Sequence, residues 1–194
     1  RLSIELERMP AIYENFIVET WIDSVMRYFT NRNFKIADDE GRVYGYGKSI
    51  WAMIDTATRQ PVDILKTNGE TISKYLETEY VNPIRKSPRV KLDTDLKLQK
   101  SILATYSDID INGHVNSIKY IEHILDLFPL DQYKKYRIKK CDIAYIMESY
   151  NNEKLNFYTD IDSITECNNT VFIRVTKSGS EDEKEVCRCQ ITFG

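Results

Sequence analysis

Two stretches of this chain repeat one another, and the repeat limits what it can fold into more than any other feature. Glu14–Ser24 (ENFIVETWIDS) and Glu153–Ser163 (EKLNFYTDIDS) align without a gap at an offset of 153 − 14 = 139, with five of eleven positions identical. Ile4 and Ile143 fall on the same offset. Downstream, each copy reads as strand, charged turn, strand: 33–37, 38–41 and 42–54 in the first, 171–175, 177–182 and 184–193 in the second. Duplication of one β-rich unit accounts for this pattern. Residues 140–194 then map onto 1–55, so the strand, loop and helix expected at about 98–139 have no first-copy counterpart. The first copy is therefore expected to lack its N-terminal strand and helix, and the chain to be an incomplete piece of a longer one. The predicted organisation is a partial first unit at 1–55, a connector at 56–97 and a complete second unit at 98–194.

Periodicity fills in the second unit. A helix is predicted from Asn116 to Phe128, ending before Pro129 because proline cannot continue it. Ile118, Ile121, Ile124, Leu125 and Phe128 share one face. Lys119, Glu122, His123 and Asp126 lie elsewhere on the wheel, so His123 is expected to be solvated. Leu155, Phe157, Thr159 and Ile161 alternate with Asn156, Tyr158, Asp160 and Asp162, as on a strand of an antiparallel sheet with one buried face. One apolar helix against one antiparallel sheet is an α+β layer architecture. A further short helix is predicted in the connector, near Thr71–Glu79.

Composition excludes several functions. The net charge of −3 gives no electrostatic reason for a nucleic-acid partner, and no run is long enough for a membrane span. The four cysteines show no zinc or CxxC spacing. Cys187, Cys189, Ile191 and Phe193 alternate with Arg188, Gln190 and Thr192, so the two thiols are expected in the core of a strand, in a reducing, cytoplasmic setting. No metal and no cofactor is expected.

The segment Ser107–Val115 (SDIDINGHV) carries the chemistry. Asp108-x-Asp110-x-Asn112-Gly113 satisfies the first half of a calcium loop, but the twelfth position, which must be glutamate, is Lys119. The loop instead stands between a strand and a helix start, where free amides and the helix dipole favour developing negative charge. Asp110, Asn112 and His114 supply a carboxylate, an amide donor and an imidazole suited to attack of water on a carbonyl. The spacing alone suits rather better a turn whose Asp and Asn merely cap the helix.

Tyr106–Ile121 (YSDIDINGHVNSIKYI), together with Arg27–Phe34 and Ser49–Asp55, resembles the acyl-acyl-carrier-protein thioesterases of bacteria and plant plastids. The resemblance spans essentially the whole chain and implies tandem hot-dog domains, each an antiparallel sheet wrapped on one long helix. It implies hydrolysis of fatty acyl-acyl carrier protein, with Asp110, Asn112, His114 and Glu148 as catalytic residues and a backbone amide near Val115 binding the thioester oxygen. Alternatives are an acyl-CoA thioesterase and a non-catalytic acyl-binding module. Where some plant members carry a cysteine after the glutamate, this chain has Ser149, which favours a carboxylate mechanism; where tryptophan is common, it has His123. The implied partner is acidic acyl carrier protein, for which 134–140 and 85–91 are candidate basic docking runs. The uncovered sheet face of the first copy would favour association, a homodimer included.

Overall fold

The computed structural model describes residues 1–84, 90–92, 95–161, 169–179 and 182–194. The chain divides into two compact units, Arg1–Pro88 and Arg89–Gly194.

The first unit contains strands β1 (Leu2–Leu6), β2 (Ile17–Val25), β3 (Phe29–Ala37) and β4 (Val43–Ala52), all antiparallel in the order β2-β3-β4-β1. The charged turn between β3 and β4 is organised by Asp38. Its carboxylate accepts from the Glu40 and Arg42 amides and from the Arg42 and Arg8 guanidinium groups, at 2.7–3.1 Å. Gly45 sits where β1 comes close to β4: a Cβ there would lie 2.4 Å from the Glu5 carbonyl oxygen.

The connector's helix, α1, spans Ile64–Ser73 rather than 71–79. Asp63 fixes its start. That carboxylate accepts from the Lys66 amide and pairs with Arg27 at 3.0 Å, a cap and an ion pair that pin the first turn. Residues beyond α1 run back along the first sheet. Glu77 N–H donates to Ile22 O at 2.9 Å, and buried Asn82 donates to Asn33 Oδ1 and to Gly47 O at 3.0 and 2.8 Å. The stretch expected as a connector is thus bound to the first unit through residue 84.

The second unit contains β5 (Lys97–Leu103), a 3₁₀ turn (Tyr106–Asp108), α2 (Ser117–Leu125), α3 (Leu130–Lys135), β6 (Ile138–Tyr145), β7 (Lys154–Thr159), β8 (Thr170–Ser178) and β9 (Glu183–Phe193). Its antiparallel order is β6-β9-β8-β7-β5. The order β2-β3-β4-β1 therefore recurs as β7-β8-β9-β6, and the repeated stretches run into β2 and β7. Among the described residues, the first unit has no counterpart of β5 and α2.

The core of the second unit follows the alternation read from the sequence. Cys187, Cys189, Ile191 and Phe193 are all buried, opposite Val175, Ile173 and Val171 of β8. Against them α2 turns Tyr120 and Ile124, followed by Leu127 and Phe128; Phe128 meets Phe193 edge-on with centroids 5.1 Å apart. Ile118, expected on the buried face, is exposed in the first turn, and Tyr120 takes the core position instead. Truncating a buried aromatic such as Phe157 to alanine would cost about 3–5 kcal/mol.

Candidate active site

The loop after the 3₁₀ turn is a tight hairpin closed by its own first carboxylate. Asp110 Oδ1 accepts from the Asn112 amide at 2.8 Å and the His114 amide at 3.4 Å. The Asp110 amide donates to His114 O at 2.9 Å and the Gly113 amide to Asp110 O at 3.0 Å, with Ile109 and Val115 bridged below. Gly113 holds φ +79°, a left-handed geometry that glycine adopts without a Cβ penalty. The cap of α2 is Asn116, whose side chain accepts from the Ile118 amide at 2.9 Å. Asp110 and Asn112 are therefore not helix caps; Asp110 closes the turn itself.

The calcium reading fails on geometry as well as on Lys119. Asp108 turns inward to Thr105 and His123, while Asp110 holds the hairpin amides, so the two carboxylates serve different partners. Among the described residues, no group of three His, Cys, Asp or Glu side chains is arranged to hold a metal.

Glu148 enters from the segment between β6 and β7. His114 Nε2 lies 3.3 Å from Glu148 Oε2, and Asn112 Nδ2 lies 3.5 Å from Asp110 Oδ2. These are two side-chain pairs in the second unit, joined through the His114 backbone amide, which donates to Asp110 Oδ1. Asn112 is exposed, and the Glu148 side chain retains 42% of its accessible surface. The Val115 amide is differently placed from the expectation. It donates to the Ser149 carbonyl at 2.8 Å, so this amide is committed to holding the hairpin beside the Glu148 segment and is not free to bind an oxyanion. The Asn112 side-chain amide remains the hairpin donor facing solvent.

Several contributors carried no signal in the sequence. Tyr150 donates its hydroxyl to Glu148 Oε2 at 3.4 Å and packs its ring edge-on against His114, centroids 5.1 Å apart. Lys177 on β8 donates to the Glu148 carbonyl at 2.9 Å and to both Glu153 carboxylate oxygens at 2.9 and 3.0 Å, pinning the segment that presents Glu148. The offset between Glu148 and Lys177 has no local pattern that would reveal this pairing. Ser149, by contrast, is turned into the core, its hydroxyl facing that of Tyr120 beyond good hydrogen-bond geometry. Burial pushes the Tyr120 hydroxyl up to about 12, against the opposing effect of Ser149. Neither hydroxyl is presented as a nucleophile. Cys187 and Cys189 are no better placed: burial pushes Cys187 up, and the hydrogen bond to Cys141 together with burial does the same to Cys189.

His123 also departs from its expectation. It is not solvated: 20% of its side-chain surface is exposed, its Nε2 lies 2.8 Å from Asp108 Oδ1, and its ring stands edge-on to Phe157.

A family model of the acyl-ACP thioesterase N-terminal domain matches residues 1–72, and one of the acyl-ACP thioesterase C-terminal domain matches residues 90–193. The chain belongs to the acyl-ACP thioesterase family. An acyl-ACP thioesterase from Bacteroides thetaiotaomicron superposes with a TM-score of 0.86 at 43% identity, over 100% of this chain and 74% of that one. The 12:0-ACP thioesterase from Umbellularia californica gives 0.81 at 19% identity, over 100% and 73%, a likeness of fold alone. These neighbours bear out the tandem hot-dog architecture. Among sequence relatives, the chloroplastic palmitoyl-acyl carrier protein thioesterase of Gossypium hirsutum is 27% identical over 171 residues, 86% of this chain and 41% of that protein. The chain thus spans about two fifths of the length of the curated plant relatives it matches. No helix among the described residues is long and apolar enough to cross a membrane.

Proposed function

We propose that the protein hydrolyses the thioester bond of fatty acyl-acyl carrier protein, releasing a free fatty acid. The observation that carries this reading is that one self-closed hairpin presents Asp110, Asn112 and His114, with Glu148 brought to 3.3 Å from His114, in a chain of this family. A binding module needs no such set.

In the proposed reaction, water attacks the carbonyl carbon, the C–S bond breaks, and the proton lost by water reaches the departing thiolate. Glu148 is the base, since one oxygen of Asp110 already holds two hairpin amides. His114, beside Glu148, carries the proton toward sulfur. Asn112 donates to the oxyanion, which is typically worth about 10²–10³ in rate, and a positioned base adds roughly 10²–10⁴.

The carrier is the finer part of the proposal. Plant relatives are named as acyl carrier protein thioesterases and dodecanoyl-[acyl-carrier-protein] hydrolases, which favours carrier-linked over CoA-linked substrate. Of the two basic runs, 134–140 includes Lys134, paired with Asp131 at 2.7 Å, and Lys140, 3.8 Å from Asp142; residues 85–89 of the other lie outside the described residues. Thiol release from matched acyl-carrier-protein and acyl-CoA thioesters, with Asp110→Asn as control, tests the reading. Turnover on carrier-linked substrate that collapses in the control supports it. Turnover on CoA substrates alone, or none on either, refutes it.

A further inference from the structure

We propose that His123 is a positioning residue: through Asp108 it fixes the hairpin that presents Asp110, Asn112 and His114. This rests on the thioesterase reading of the site and extends it to a residue outside the reacting cluster.

Asp108 is the hub on which the hairpin closes. Its backbone carbonyl accepts from the Asn116 amide at 2.8 Å, which joins the base of the hairpin to the cap of α2. Its carboxylate accepts from the Thr105 amide at 2.8 Å and the Thr105 hydroxyl at 3.0 Å, joining it to the end of β5. The third bond, from His123 Nε2 at 2.8 Å, comes from two turns further along α2. Only 7% of the Asp108 side-chain surface is exposed, so a lost donor is not simply replaced by bulk water. Burial disfavours the ionised carboxylate, but the Thr105 amide, His123 and the Thr105 hydroxyl outweigh it and hold the group below the usual carboxylate range.

The chain of consequence runs through geometry. Without the His123 donor, a buried carboxylate keeps only Thr105 among the described residues, and α2 loses its side-chain tie to the residue from which the hairpin springs. The hairpin's own bonds from Asp110 persist, but its orientation toward Glu148 is released. Catalysis is sensitive to such displacements: a shift of about 1 Å can cost roughly 100-fold. Because His123 bonds Asp108 and packs on Phe157, the loss falls on kcat, with substrate binding largely retained.

The test uses His123→Leu and His123→Ala, both of which remove the donor, so that a folding failure in one leaves the other to answer. His123→Gln retains an N–H long enough to reach Asp108. Glu122→Ala, which removes only an exposed pair with Lys119 at 2.7 Å, controls for disturbance of α2. The expected result is a fall in kcat of about 10- to 100-fold in the Leu and Ala variants, with KM little changed, partial recovery in Gln and wild-type kinetics in the control. Amide hydrogen exchange at Val115 and Asn116 should quicken in the same order. Unchanged kcat and exchange in the Leu and Ala variants would overturn the inference, as would a loss that Gln does not relieve. A wild-type protein inactive on every thioester would sink the functional reading instead, while the exchange measurement would still decide the positioning role.

Discussion

Lys177→Met isolates the anchor of the Glu148 segment. In the native protein the Lys177 ammonium bonds both Glu153 oxygens and the Glu148 carbonyl, with 11% of the Lys177 and 28% of the Glu153 side-chain surface exposed. Removing one member of a fully buried pair costs about 3–5 kcal/mol, because the other charge is left without a partner. Glu153 is more than a quarter exposed and can recover water, which brings the expectation down to about 2 kcal/mol, within the range for hydrogen bonds to charged groups. For a chain of this size that corresponds to a fall in Tm of roughly 4–8 °C. Methionine fills much of the same volume, so the loss reports the charge rather than a cavity.

The same substitution frees the Glu148 carbonyl, and kcat should drop by about tenfold as the carboxylate wanders from His114. Adding Glu153→Gln to Lys177→Met removes the stranded charge and should restore part of the Tm without restoring kcat. Thermal unfolding followed by circular dichroism and steady-state thiol release give both quantities on one preparation. A Lys177→Met protein that melts with the wild type, or that turns over at the wild-type rate, would refute the reasoning.

Asp38 makes a pH-dependent contribution: burial opposes its ionisation, but Arg42 and Arg8 outweigh burial and hold its carboxyl at about 2. A carboxyl depressed below its ordinary value, about 3.9, stabilises the fold fully above that value and loses its effect as pH falls toward 2. Asp38→Asn should therefore narrow its stability gap to wild type on acidification, seen in urea midpoints; parallel curves would contradict this. Gly113→Ala meets no atom within 4 Å, so its cost is backbone strain at φ +79°, about 1–2 kcal/mol, read as lowered Tm and kcat, with Gly113→Asn milder. Cys141→Ala should leave kcat essentially unchanged in the thiol-release assay, and a collapse would revive a thiol mechanism.

What the sequence revealed and what it hid divide along physical lines. Glu14–Ser24 and Glu153–Ser163 disclosed the tandem architecture because the equivalent strands β2 and β7 retain matching side chains, Thr20 and Thr159 among them. The run from Cys187 to Phe193 disclosed a core strand because alternation is imposed by the pleat. Asp110, Asn112 and His114 were legible because one short hairpin carries all three; Glu148 came only from resemblance, since a lone strand-end carboxylate has no pattern of its own. His123 was misread for a related reason. A helical wheel sorts residues by average polarity, and His123 keeps company with Lys119 and Glu122, yet Asp108, 15 residues upstream, folds back to meet it. The Val115 amide was hidden in the same way, because its partner, Ser149 O, arrives from another element. The start of α1 was signalled by Asp63, whose cap outweighed the weaker pattern further along.

The central claim is that the hairpin and Glu148 form one catalytic centre for thioester hydrolysis. Glu148→Gln, compared with wild type in single-turnover thiol release from acyl-carrier protein, tests it most directly, with circular dichroism verifying the fold. The account predicts a loss of at least about 10² in rate with the fold retained. A folded Glu148→Gln protein that releases thiol at the wild-type rate would contradict it.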